Sequence, residues 1–259
     1  MEKILINKAQ YISMINDIEL GFNQIHGKEL SYNNYNDMFA SLDILNSLKK
    51  NSATAIIKHG NPCGVSENRK PIVSFKNAYA SDPVSPFGGV IACNYKINRK
   101  IASEINKNFL EVILAKGFDK EALKILRKKR NLRIIDISNF KFKSLTSMKS
   151  FDGSFLLQTK DLIVLDKKKL KCVTKLKPNK KELAEIQFAF NVCKHVKSNA
   201  IVISNNFSTI GIGAGQPSRL DSCKIAVQKA KQFQSSKIRN SNAASDAFFP
   251  FADGINTLI

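Results

Sequence analysis

Lys58 and His59 stand side by side at the end of the apolar run Ala53 to Ile57, and Gly60-Asn61-Pro62-Cys63-Gly64 follows directly. These two side-chain types suit acyl transfer. A neutral imidazole takes a proton from an amine nucleophile, while a neighbouring ammonium stabilises charge on a developing oxyanion. His59 is then the candidate base and Lys58 the electrostatic group. The pair taken alone is more often a histidine that closes a strand beside a solvated lysine. Its surroundings favour chemistry: a strand carrying Ala53, Ala55, Ile56 and Ile57, ended by a tight Asn-Pro-x-Gly turn, would deliver the pair to the C-terminal edge of a sheet, where open α/β folds place their sites.

The elements that must position this pair are legible as an alternation. A turn-rich segment, Gly27 to Asn34, runs into a helix with Met38, Leu42, Ile44 and Leu45 apolar. After the strand ending at Lys58, the patterning predicts helices around Ser74 to Ala80, Arg99 to Asn108 and Asp119 to Lys128. Strands are predicted at Gly89 to Cys93, Glu111 to Ala115 and Leu132 to Ile137. Repetition of this kind implies a largely parallel sheet with helices on both faces. Gly153 to Gln158 reads as one more strand. The lysine-rich stretch 166–180, with Pro178, breaks the pattern and divides a first lobe, 1–165, from a second, 181–259. The second lobe opens with a helix from Lys181 to Val196, whose apolar positions are Leu183, Ile186, Phe190 and Cys193. A hairpin through Asn205-Asn206 follows.

Composition narrows the classes. A chain of 259 residues, 43% hydrophobic and 24% charged, is that of a folded globular protein. No apolar run approaches the ~18 residues of a membrane span, and Met1 to Asn7 is too short and interrupted for a secretory signal, so a cytoplasmic protein is expected. The five cysteines are scattered without a C-x-x-C, which predicts reduced thiols. Three histidines without metal-ligand spacing predict no transition metal. The formal charge of +20 would draw polyanions, yet its short lysine runs read mainly as solvated helix ends, and specific nucleic-acid binding is not expected.

Four further segments carry candidate chemistry. Asp82 to Gly89 combines two prolines with two glycines, a rigid turn whose backbone N–H groups can approach a ligand, or simply a helix-to-strand connection. Lys197-Ser198-Asn199 ends with an amide that can orient a substrate amide or close a helix. Ile210 to Arg219 places a glycine-rich loop before a helix N-terminus, which favours an anion, although its G-x-G-x-G spacing is not a dinucleotide fingerprint. Ser245 to Phe251 gathers three phenylalanines around Pro250, as core or as a wall for a flat heterocycle.

Taken together and in order, these motifs resemble the transformylase half of the bifunctional AICAR transformylase/IMP cyclohydrolase family. The likeness spans nearly the whole chain. It implies formyl transfer from 10-formyltetrahydrofolate, the co-substrate, to the 5-amino group of AICAR. It also implies a duplicated, cytidine-deaminase-like three-layer α/β/α fold with mixed sheets and without the deaminase zinc. By motif position, His59 is expected as the base, Lys58 as the transition-state cation and Asn199 as the residue that holds AICAR and orients transfer. Gly88 and Glu111 fall at AICAR-binding positions, the latter an aspartate in the family pattern. Arg219 and Phe248 match positions near the folate. A homodimer with interface active sites is implied as well.

The departures from the family pattern lie at the ends. The cyclohydrolase domain, the R-Y-G-E-N-P-H-Q segment expected just before Lys8, and the final strand and R-x-F-x-H segment have no counterpart in the sequence. Two readings follow: a transformylase with its catalytic pair intact, or an inactive folate- or AICAR-binding fragment that needs a partner chain.

Overall fold

A computed structural model describes residues 21–48, 51–142, 146–161, 165 and 170–259. The N-terminal leader and the lysine run 167–169 lie outside the described residues. Nine strands form one sheet in the order β1-β6-β5-β4-β2-β3-β10-β9-β11. They are β1 (Asn23–His26), β2 (Ser52–Lys58), β3 (Asn61–Asn68), β4 (Gly89–Cys93), β5 (Leu110–Ala115), β6 (Arg133–Asp136), β9 (Ile201–Asn205), β10 (Ser208–Gly213) and β11 (Asn242–Ser245). β7 (Thr146–Phe151) and β8 (Ser154–Thr159) form a separate hairpin.

The sheet is mixed, not largely parallel. Only β4, β5 and β6 run together, and every other neighbouring pair is antiparallel. The alternation of helix and strand from 71 to 136 is genuine, but it builds only this parallel centre. β2 enters beside β4 in the opposite sense, with Ile57 opposite Val90. Lys58 therefore stands at the C-terminal end of its own strand and at the N-terminal edge of the parallel strands, which corrects the edge expected from the sequence.

Helices cover both faces, giving three α/β/α layers. On one face α1 (Tyr32–Ser47) and α5 (Lys180–Cys193) bury Met38, Leu42, Leu45, Phe188 and Val192 against Ala53, Ala55, Val90, Val112, Leu114 and Val202. On the other, α2 (Pro71–Ser81), α3 (Arg99–Asn106) and α4 (Lys120–Leu126) pack Phe75, Ile101, Ile105 and Leu126 against Ile56, Ile91 and Ile113. α6 (Arg219–Gln234) and α7 (Ala252–Leu258) extend that face over β9 and β10. Each wholly buried isoleucine or leucine stabilises the fold by about 1.5–3 kcal/mol. Among the described residues no helix is long and apolar enough to cross a membrane.

Two expectations shift in register. α5 turns Phe188, Ala189, Val192 and Cys193 inward together with Glu185, while Leu183, Ile186 and Phe190 are only half-buried. Glu185 is held by Asn206 N–H at 3.2 Å and Asn242 Nδ2 at 3.0 Å, so a buried carboxylate takes a place the apolar pattern had assigned elsewhere. The expected strand near 153–158 is β8, whose partner β7 the sequence reading lacked.

The sheet runs without a break from 21–142 into the strands after 200. Its seam is polar: β3 meets β10 through Ser66 opposite Ser208, their hydroxyls 2.7 Å apart, and Val65 N–H donates to Thr209 Oγ1 at 2.9 Å.

Candidate active site

The turn that carries the pair is His59-Gly60 itself, with φ of 55° and 72°, and not Asn61-Pro62-Cys63-Gly64. Two residues in the left-handed region make a tight hairpin of the hand that matches strand twist. Asn61 to Gly64 instead opens β3. Pro62 is tolerated at the start of that strand, next to a bulge between Ile56 and Ile57. Gly64 is required because a Cβ there would lie 1.9 Å from the carbonyl oxygen of Ala78 on α2. The residues that read as a turn thus serve close strand-to-helix packing.

Around this hairpin the fold assembles Lys58, His59, Gly88 and Glu111. Lys58 Nζ donates to the carbonyl of Phe87 at 2.6 Å. Gly88, at φ 77°, follows at once, and a Cβ on it would stand 3.8 Å from Glu111 Oε1. Glu111 Oε2 accepts from Asn34 Nδ2 at 2.9 Å and lies 3.7 Å from an Arg133 guanidinium nitrogen. Phe87 and Phe109, both exposed, lie beside them with ring centres 4.7 Å apart and tilted by 36°. The exposed His59 ring makes no hydrogen bond among the described residues.

The Asp82 to Gly89 turn is tied down by hydrogen bonds. The Asp82 carboxylate accepts from Val84 N–H, Ser85 N–H, the Ser85 hydroxyl and, at 2.6 Å, Lys229 Nζ on α6. Burial pushes its pKa up, but the hydrogen bonds from Lys229 and Ser85 outweigh that and hold the carboxyl below the usual range. Burial pushes the Cys63 thiol, next to this turn, up to about 12, which makes it inert as a nucleophile at neutral pH.

Asn199, Arg219 and Phe248 belong to a second cluster. The Arg219 guanidinium, largely buried, donates to Asn199 Oδ1 at 2.6 Å, Ser245 Oγ at 2.7 Å and Asp246 Oδ1 at 2.5 Å. Asn199 Nδ2 donates to the carbonyls of Gln216 and Pro217, both at 2.9 Å. The Ser198 hydroxyl also donates to Asp246. Burial raises the pKa of Asp246, but the bonds from Arg219 and Ser198 bring it below the usual carboxylate value. Phe248, two residues on, is 81% exposed.

The glycine-rich stretch 210–219 differs from the anion loop expected. Gly211 and Gly213 lie inside β10, where a Cβ would come 2.1 Å from the Ala226 carbonyl oxygen and 1.9 Å from that of Ser222. They let β10 press against α6, whose N-terminus is capped by Ser218. The aromatic segment is split: Phe249 packs on Gly254 and the small core beneath α6, while Phe248 and Phe251 face outward.

Lys197 joins the two clusters. Its Nζ donates to the His59 carbonyl at 3.2 Å, and its own N–H donates to Asn61 Oδ1 at 3.1 Å. From α1, Asp37 reaches the same turn: its carboxylate accepts His59 N–H at 3.1 Å and Gly60 N–H at 2.6 Å. The sequence reading assigned Asp37 no part. Its signal is a polar stripe at helical spacing, Asn34, Asp37 and Ser41, buried together on α1. A cleft of about 1050 Å³ lies elsewhere, between α1, α5 and the β7–β8 hairpin, and none of the seven expected site residues lines it.

A three-layer α/β/α fold with a lysine and a histidine at one hairpin turn defines the class as an α/β protein. The comparisons supply the family. Residues 6–229 match the model of the AICARFT/IMPCHase bienzyme, and the chain belongs to that family. It is 44% identical over 236 residues to the bifunctional purine biosynthesis protein PurH of Thermoanaerobacter sp. (strain X514), covering 91% of this chain and 45% of the relative. Against the protein of the same description from Aquifex aeolicus it is 41% identical over 258 residues, covering 100% of this chain and 47% of the relative. With that of Rhodospirillum rubrum it shares 46% over 241 residues, 90% of this chain and 45% of the relative. The chain spans about half the length of these relatives.

Proposed function

We propose that this chain acts in purine biosynthesis as a formyltransferase, moving the formyl group of 10-formyltetrahydrofolate to the amino group of AICAR in the cytoplasm. The observation that carries this reading is the Lys58-His59 hairpin turn set against Gly88 and Glu111 in a member of this family. In the proposed step the amine nitrogen bonds to the formyl carbon, His59 removes the amine proton as attack proceeds, and Lys58 stabilises the oxyanion. The carbon–N10 bond then breaks, and the proton passes to the folate nitrogen. An aromatic amine is a weak nucleophile, so proton removal is concerted with attack. Asn199 holds AICAR and orients the transfer, and Arg219 and Phe248 form the folate side of the proposal.

A second reading, a chain that binds AICAR or folate but needs a partner to react, is favoured by one observation: the Arg219 guanidinium is already satisfied by Asp246, Asn199 and Ser245. Formyl transfer by the purified chain, with His59→Ala beside it, separates the two. The first reading expects turnover that falls by on the order of 10²–10⁴ in the variant. No turnover in either, with AICAR binding retained by calorimetry, supports the second. We also propose a homodimer, on the ground that β7–β8 exposes apolar residues on both of its faces.

A further inference from the structure

We infer that Asp37 and Lys197 are positioning residues that clamp the backbone of His59 and thereby aim its ring; the inference rests on His59 being the base. The peptide between His59 and Gly60 is held at both ends. Its N–H donates to Asp37 Oδ1 at 2.6 Å, and its carbonyl accepts from Lys197 Nζ at 3.2 Å. The preceding peptide donates the His59 N–H to the other Asp37 oxygen at 3.1 Å. An anion from α1 and a cation from the segment between α5 and β9 thus grip one turn from opposite sides.

The grip is needed because His59 is a non-glycine residue at φ 55°, a strained conformation that persists only where its surroundings enforce it. The other two histidines are anchored through their rings: His26 Nε2 lies 3.2 Å from the Lys129 carbonyl, and His195 Nε2 lies 2.8 Å from Ser47 Oγ. His59 has no such ring contact among the described residues. Its direction comes from the backbone alone, which leaves the imidazole free for proton transfer. Charge-assisted bonds to a buried carboxylate, one oxygen per N–H, are the strong kind and define geometry. Asparagine cannot reproduce them, since it offers one acceptor oxygen and would set its NH₂ against the other N–H.

The test has a structural arm and a kinetic arm. Amide hydrogen exchange of the intact chain should show His59 and Gly60 protected. In Asp37→Asn both should exchange about tenfold faster or more, while the amides of β2 and the core of α1 stay unchanged. Unchanged protection of the turn in Asp37→Asn overturns the clamp whether or not the chain turns over. In the formyl-transfer assay Asp37→Asn and Lys197→Met should each lower kcat by on the order of 10²-fold, with little change in KM for AICAR. Lys197→Arg, which keeps a donor, should recover most of the loss. Neither substitution should lower the residual rate of His59→Ala further, because the ring they aim is gone. A loss that persists at full size in the His59→Ala background overturns the positioning role, even for variants that fold. A His59→Ala variant with parental kcat sinks the base assignment instead, and the exchange result still decides the clamp. Lys197 is exposed, so its variants carry the test if Asp37→Asn does not fold.

Discussion

His59 and His195 carry the same side chain into opposite circumstances. His59 stands exposed on a turn, whereas His195 is half-buried just after α5, and loss of solvent there, aided by Lys194, lowers its pKa from 6.5 to about 4. The folded-state value lies below the unfolded one, so between pH 6.5 and 4 the unfolded chain binds a proton the folded chain refuses. Stability should therefore fall as pH drops through that window and level off below it, by up to roughly 3 kcal/mol in all. Asp82 and Asp246, also lowered, withdraw their contribution only further down, in the carboxylate range. Urea unfolding from pH 8 to 4.5 checks this: His195→Gln should flatten the slope above pH 4.5, and an unaltered slope would remove His195 as its cause. The same contrast explains what was legible at this scale. Lys58-His59 announces itself because two reactive side chains are adjacent in sequence, and the seven expected site residues, Lys58, His59, Gly88, Glu111, Asn199, Arg219 and Phe248, fall in the two clusters joined by Lys197. Asp37 stayed hidden because its partners are backbone N–H groups, which leave no mark in a sequence.

At the scale of elements, hydrophobic period found the strands of the parallel centre nearly to the residue and the buried face of α1 by its apolar positions, since each of those segments buries a face of one kind. It failed where glycines serve packing. Gly64, Gly211 and Gly213 read as turn or anion-loop glycines, yet each sits in a strand pressed against a helix carbonyl. Local sequence cannot separate the two uses, because the helix that demands the missing Cβ is remote or follows later in the chain. The structural use is testable. Gly213→Ala should force β10 away from Ser222 and destabilise the fold by about 1–3 kcal/mol or more, since a Cβ 1.9 Å from a backbone oxygen has no flexible neighbour to displace. A lowered urea midpoint with an unchanged m-value is the expected record. A midpoint equal to the parent's would return these glycines to a ligand-binding role.

At the scale of the whole molecule, two features pull against each other. The β7–β8 hairpin stands outside the main sheet with Met148, Phe155 and Leu157 on one face and Phe151 and Leu156 on the other, all exposed. Two strands alone are marginal in water, and an apolar ribbon of this kind gains by burial against another chain. Yet the sequence carries a formal charge of +20, so two copies repel over a Debye length. The lysine excess, read in the sequence as a draw for polyanions, would also set the conditions under which the proposed dimer forms. The proposed homodimer should consequently tighten as salt rises from about 0.05 to 0.5 M, the reverse of an association held by ion pairs. Sedimentation across that range checks it. Leu157→Glu together with Phe155→Ser should hold the chain as a monomer at every salt concentration, with little loss of thermal stability, because both side chains are exposed in the isolated chain. A dimer that survives these changes, or one that salt dissolves, would place the contact elsewhere on the molecule and leave the hairpin to cover the cleft between α1 and α5.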